Sequence, residues 1–178
     1  ANSLYSQAWS EVLTGKPDVA ETTFTTLIEK HADHQLVSVA LLGRGKVRRQ
    51  QKKFKEAIAD VDGFLLSKLD VAQQVDAWFE KGMSQIGLQQ NAAAIETFNL
   101  LLTADAKYAG ADAILYEIAF AQRTLDKHDA AKATFAKLVA DHADSALAAD
   151  AHFRLAEYQY ADGQFKAALV DYNKAAGS

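Results

Sequence analysis

A 37-residue register runs through the chain and constrains its fold more than any other feature. Steps of that length from Ala20 reach Ala57, Ala94, Ala131 and Ala168, each an alanine. Four residues on stand Phe24, Val61, Phe98, Phe135 and Tyr172, and three further Leu27, Phe64, Leu101, Leu138 and Ala175. Twelve before each alanine lies a small residue: Ala8, Gly45, Gly82, Ala119 or Ala156. Sixteen before lies Leu4, Leu41, Trp78, Leu115 or His152. No insertion or deletion breaks the register, so the near-copies KFKEAI (53–58) and QFKAAL (164–169) occupy one place in two units. Fixed periods of 20–50 residues mark arrays of a repeated supersecondary unit.

The pattern inside a unit predicts a helical hairpin. A large residue followed four later by a small one shares one helix face, and the small residue admits a second helix closely. The alanine-led series is the buried stripe of that second helix. Turn residues fall between: TGKPD (14–18), QQKKF (50–54), LQQNA (88–92), LDKHD (125–129) and ADGQF (161–165). Gly15 and Gly163 suit a helix C-terminus and Pro17 a first turn. Proline occurs once, alanine is abundant, and no long stretch alternates apolar with polar residues. The expected class is all-α, with about ten helices.

This spacing resembles the tetratricopeptide repeat, most fully in the last unit: Leu155, Ala156, Gly163, Phe165, Ala168, Tyr172 and Ala175. Trp78, Gly82, Ala94 and Phe98 carry it in the third. The resemblance covers the whole chain. It implies a right-handed superhelical solenoid, one repeat domain over 1–178 with units near 1–37, 38–74, 75–111, 112–148 and 149–178. The units are longer than the standard 34 residues. Ala32, Leu69, Ala106 and Ala143 stand where the family has proline, and Gln7, Arg44 and Lys81 replace a leucine. The joints EKHADHQLVSVA (29–40) and ADHADSALAADA (140–151) are similar to those of long-repeat bacterial envelope proteins, namely the Tol-Pal-associated periplasmic protein and the outer-membrane assembly lipoprotein. That implies a bacterial periplasm or cell envelope.

The resemblance further implies that first helices line an inner surface. Its inward positions here include Tyr5, Leu42, Phe79, Tyr116 and Phe153; Trp9, Lys46, Met83, Phe120 and Glu157; Val12, Arg49, Ile86, Arg123 and Tyr160. The partner-binding candidates are Tyr5, Trp9, Lys46, Arg49, Phe79, Met83, Tyr116, Phe120, Arg123 and Tyr160. Aromatic, Met and Arg side chains suit a protein or peptide partner. The competing reading is that the fifth-position aromatics pack between units. The family's clamp for a C-terminal carboxylate needs Lys and Asn where Tyr5, Trp9, Leu42, Phe79 and Met83 stand, which argues against that ligand. The expected function is a non-catalytic interaction scaffold. The alternatives are a module that acts by self-association and a binder of a small ligand such as a cell-wall fragment.

Other classes find little support. The net charge is −4, against a nucleic-acid surface. No apolar run approaches the ~18 residues of a membrane span. Cysteine is absent, which excludes disulfides and thiolate chemistry. No phosphate-binding glycine loop, G-x-S-x-G or H-E-x-x-H occurs, so neither an enzyme nor a cofactor is expected. His31 and His34, with Glu29 and Asp33 nearby, are a conceivable metal pair, but read better as a solvated joint. His128 and His152 read as structural or exposed. Carboxylates read as scattered and solvent-facing, with Asp60 and Asp171, at the position of Thr23, Thr97 and Thr134, on an outer surface of the second helix. Within GRGKVRRQQKKFK (43–55), Arg44, Lys46, Arg48, Arg49, Lys52, Lys53 and Lys55 are read as a solvated helix and turn, with an acidic-partner patch as the alternative. The sequence ends at Ser178, directly after the last second helix. We therefore expect either a longer native protein, of which this is a fragment, or a homo-oligomer through this end, with Leu155, Tyr158 and Leu169 exposed.

Overall fold

One residue in each hairpin turn has a left-handed backbone, and these recur at the repeat interval: Gly15 (φ 72°), Lys52 (61°), Gln89 (59°), Asp126 (57°) and Gly163 (74°). Each closes its helix with the same two backbone bonds. At the first turn Gly15 N donates to Val12 O (3.1 Å) and Lys16 N to Glu11 O (2.9 Å). Lys52 and Lys53, Gln89 and Gln90, Asp126 and Lys127, and Gly163 and Gln164 repeat the pair. This is the Schellman closure, which satisfies carbonyls that the helix end would leave orphaned. Three of the five turns achieve it without glycine.

The computed structural model describes residues 1–67 and 70–177; Lys68, Leu69 and Ser178, and with them the reading of Leu69 as a proline substitute, lie outside the described residues. The helices are α1 (Asn2–Leu13), α2 (Pro17–Lys30), α3 (Leu36–Gln50), α4 (Phe54–Leu65), α5 (Val71–Gly87), α6 (Asn91–Ala104), α7 (Ala111–Thr124), α8 (His128–Asp141), α9 (Ala148–Ala161) and α10 (Phe165–Ala176). Among the described residues there is no strand. The chain forms two compact units, Ala1–Ala104 and Asp105–Ser178. In the first, each of α1–α5 packs on its successor, and α1 also meets α3, and α3 meets α5. In the second, α7, α8, α9 and α10 pack successively.

The core follows the 37-residue stripes. Ala20, Ala57, Ala94, Ala131 and Ala168 are buried where the two helices of each hairpin touch. Phe24, Phe64, Phe98 and Phe135 are the largest fully buried side chains, with Leu27, Leu101 and Leu138 beside them. Burying such a side chain stabilises by roughly 1.5–3 kcal/mol.

The structure also contains a polar stripe. In every hairpin the second-helix residue read as surface meets a first-helix residue 12 positions earlier: Thr23 Oγ1 donates to Glu11 (2.7 Å), Arg48 to Asp60 (2.9 Å), Thr97 to Gln85 (2.8 Å), Thr134 to Gln122 (2.8 Å) and Gln159 to Asp171 (2.7 Å). This corrects the outer-surface reading: Thr23, Thr97 and Asp60 are buried, and Asp171 is half-buried beside His152 Nδ1 (2.7 Å). The cause is position. These residues flank the alanine contact, so a polar group there must find its partner on the facing helix.

The solvated-run reading of 43–55 is corrected likewise. Arg44 holds Asp60 through Nε (2.9 Å) and Nη2 (2.7 Å), and Arg48 bridges Asp60 and Glu21 (2.9 Å each). Lys53 joins Glu21 (2.6 Å), Lys46 joins Asp76 (2.7 Å) and Arg49 joins Glu80. Asp60 is 4% and Glu80 5% exposed, so these carboxylates are not solvent-facing either. The positive charge is largely cancelled inside the fold. Lys52 and Lys55 remain exposed.

The last hairpin departs from expectation in detail. Leu155 is buried and Tyr158 half-buried, because both lie on α9, between α8 and α10. Leu169 is exposed as expected (61%), and with it stand Phe165 (61%), Val170, Tyr160 and Phe153. Phe54 occupies the position of Phe165 in the second unit, and its ring presses on Gly87, where an added Cβ would come within 2.5–2.7 Å of it.

Candidate functional site on the first helices

Tyr5 and Trp9 on α1 lean on the buried Phe24 ring edge-to-face, with centroids 6.1 and 5.6 Å away. Aromatic pairs favour this geometry. Their outer faces, with Val39, Leu42, Gly43 and Lys46 of α3, Phe64 of α4 and Asp70, Ala72, Gln73 and Asp76 at the start of α5, line a cleft of about 420 Å³. Lys46 Nζ lies 2.7 Å from Asp76 on its wall. A capping box fixes the rim: Asp70 Oδ1 accepts from Gln73 N (2.8 Å), and Gln73 Oε1 accepts from Asp70 N (3.2 Å).

Three of the expected partner-binding residues, Tyr5, Trp9 and Lys46, thus come together around one cavity. Arg49 and Phe79 form a second group, the guanidinium 5.8 Å from the ring centroid while its Nε bonds Glu80. Met83 is half-buried on α5.

In the second compact unit, Tyr116 and Phe120 repeat Tyr5 and Trp9 against Phe135, which repeats Phe24; the centroids lie 6.1 and 5.6 Å from Phe135. Here the chain covers its own aromatic. Arg154 sits 5.4 Å and Arg123 5.9 Å from the Phe120 centroid. Arg154 is held by Asp150 (3.4 Å) and Glu157 (3.1 Å), and Tyr116 Oη donates to Asp150 (2.7 Å). Burial and that bond push the Tyr116 hydroxyl up to about 12. Tyr160 turns to Phe165, with ring centroids 5.2 Å apart.

The histidine pair is not assembled as a metal centre. His34 Nδ1 accepts from Leu36 N (3.1 Å), and no group of three or more His, Cys, Asp or Glu fit to hold a metal occurs among the described residues. No helix among them is long and apolar enough to cross a membrane.

Family models described as tetratricopeptide repeat match residues 5–67, 75–108 and 113–145. The chain carries tetratricopeptide repeats. The last hairpin, expected to show the motif most fully, lies outside those ranges. No curated protein matches the sequence. Among solved structures, MamA from Desulfovibrio magneticus RS-1 is similar at 13% identity, over 99% of this chain and 93% of that one, with a TM-score of 0.79. YrrB, described as a TPR protein with an unusual peptide-binding site, is similar at 16% identity over 97% and 82%, with a TM-score of 0.75. A tetratricopeptide repeat protein from Parabacteroides merdae is similar at 18% identity over 98% and 64%, with a TM-score of 0.76. These likenesses establish the fold, the all-α repeat solenoid expected from the period.

The sequence reading missed Gly43, Asp70 and Asp76 at the cleft and Arg154 at its counterpart. Arg154 was legible: it lies three periods beyond Gly43, as Phe120 lies three beyond Trp9. Asp76 carried no such signal, because its meaning depends on Lys46 reaching it from another unit.

Proposed function

We propose that this chain is a non-catalytic interaction scaffold that binds a peptide or helix of a partner protein across its first helices. The observation that carries this reading is the cleft walled by Tyr5, Trp9 and Lys46. Half-exposed aromatics over a recess give large contact area at low entropic cost. The likeness to YrrB, itself described as having a peptide-binding site, points the same way. The joints' resemblance to envelope proteins makes the bacterial envelope our proposed location. In a panning experiment with displayed peptides, binders recovered on the wild-type protein should lose affinity on Trp9→Ala or Met83→Ala while helicity by circular dichroism is retained. Binders indifferent to both substitutions would contradict the reading.

A second reading is favoured by the apolar surface of α10. Phe165, Leu169 and Val170 stand open where the equivalent Phe54 is covered. On this reading the protein self-associates through α10. A sedimentation series should then show concentration-dependent mass that Phe165→Ser with Leu169→Ser abolishes.

A further inference from the structure

The two copies of the aromatic pair differ in one respect that bears on the ligand. Register aligns Tyr116, Phe120 and Phe135 with Tyr5, Trp9 and Phe24, each 111 residues apart. The same step carries Arg154 onto Gly43 and Arg123 onto Val12. In the second unit the aromatic at this place is stacked by the chain's own guanidinium. In the first, none among the described residues takes that place, and the space opens as the cleft that Trp9 and Gly43 both line. Gly43 cannot regain a side chain cheaply, because a Cβ there would fall 2.7 Å from the Phe24 ring.

We propose that this cleft receives an arginine side chain from the partner peptide, a reading that rests on the first-helix scaffold function above. The indole and phenol faces of Trp9 and Tyr5 attract a guanidinium, and Trp is the best such platform. Val39 and Leu42 offer an apolar bed for the arginine stem. Among the described residues, Asp70 and Asp76 line the cleft against the cation Lys46, a balance of minus one. Guanidinium is planar and weakly hydrated, which suits simultaneous stacking and carboxylate bonding better than ammonium. Lys46 is paired with Asp76 and competes with the incoming cation.

The test uses acetylated heptapeptides of Ala and Gln with one central arginine, lysine or citrulline, the last a neutral isostere. Binding is read from Trp9 fluorescence and its indole NMR signal in a Trp78→Phe background, which leaves Trp9 as the one tryptophan. The arginine peptide should bind at least tenfold more tightly than the citrulline peptide, with lysine between them. Asp76→Asn should weaken the arginine peptide at least threefold, and Trp9→Leu, which removes the reporter and is read by titration calorimetry instead, at least fivefold. Lys46→Gln should strengthen it. Asp76 is only half-buried, its side chain 45% exposed, so its variant keeps the test valid if Trp9→Leu fails to fold. Equal binding of arginine and citrulline peptides, or weaker binding on Lys46→Gln, would overturn the arginine assignment and leave the scaffold reading standing. If no peptide moves the Trp9 signals, both fall.

Discussion

Asp60 gives the sharpest stability prediction. Its carboxylate accepts three charge-assisted bonds, at 2.9 and 2.7 Å from Arg44 and 2.9 Å from Arg48. Its side chain is 5% exposed, and those of the arginines 12% and 18%. Removing one partner of a buried ion pair costs about 3–5 kcal/mol, because the remaining charge is left uncompensated. Two contacts soften that here: Arg48 keeps Glu21 (2.9 Å) and Arg44 keeps the Thr25 hydroxyl (3.0 Å). Asp60→Thr, the residue at this position in three other units, should therefore destabilise the first compact unit by about 2–4 kcal/mol. At ~2–4 °C per kcal/mol for a chain of this size, the melting midpoint should drop by roughly 4–16 °C. Arg48→Gln added to Asp60→Thr rebuilds the Gln–Thr pair seen at Gln85–Thr97 and should recover about 1 kcal/mol. Urea unfolding of the four proteins of the double-mutant cycle, with hydrogen exchange on α3 and α4, measures both effects. An Asp60→Thr loss under ~0.5 kcal/mol, the range of ordinary surface changes, would refute the claim that this network is structural.

Further outcomes follow from the same geometry. Lys52→Gly relieves a left-handed side chain at a Schellman turn and should stabilise by about 0.5 kcal/mol, while Gly15→Ala should cost about 1 kcal/mol, both read by denaturant midpoint. Tyr158 Oη is buried with no hydrogen-bond partner among the described residues, so Tyr158→Phe should be neutral or stabilise by up to ~1 kcal/mol in thermal unfolding. Burial alone would raise the Glu21 carboxyl, but the bonds from Lys53 and Arg48 outweigh it and hold it below the ordinary 4.5. Its stabilisation is thus present above about pH 4.5 and lost as pH falls through the lower folded value, so the gap between wild type and Glu21→Gln should close in acid. Burial raises the Glu117 carboxyl, which reverses the sign: Glu117→Gln should be the more stable protein at neutral pH, with the advantage fading as pH falls below the raised value.

The hairpins were legible because the period is exact and its apolar positions are local. Ala57, Phe98 and Leu138 are buried where a helix-face argument places them. The polar stripe was harder to read. Thr23, Asp60 and Asp171 share a register position but not a chemistry, and only their partners 12 residues earlier reveal the common role. The basic run misled for a related reason. Seven cations close in sequence read as a solvated run, yet Glu21, Asp60, Asp76 and Glu80, drawn from three units, pair with five of them. Charge balance in a stacked array is set between units, where local composition is silent. At the candidate site the aromatic pairs were visible in the sequence. What distinguishes the open one from the filled one is the Gly43 and Arg154 exchange, which needs the stacked geometry to interpret.

The central claim is that the first-helix face is where this protein meets its partner. Amide and indole chemical-shift mapping with a selected peptide tests it most directly. The account predicts saturable shifts centred on Trp9, Tyr5, Lys46 and Asp76. Shifts confined to Phe165, Leu169 and Val170 of α10, with the Trp9 indole unmoved, would contradict it.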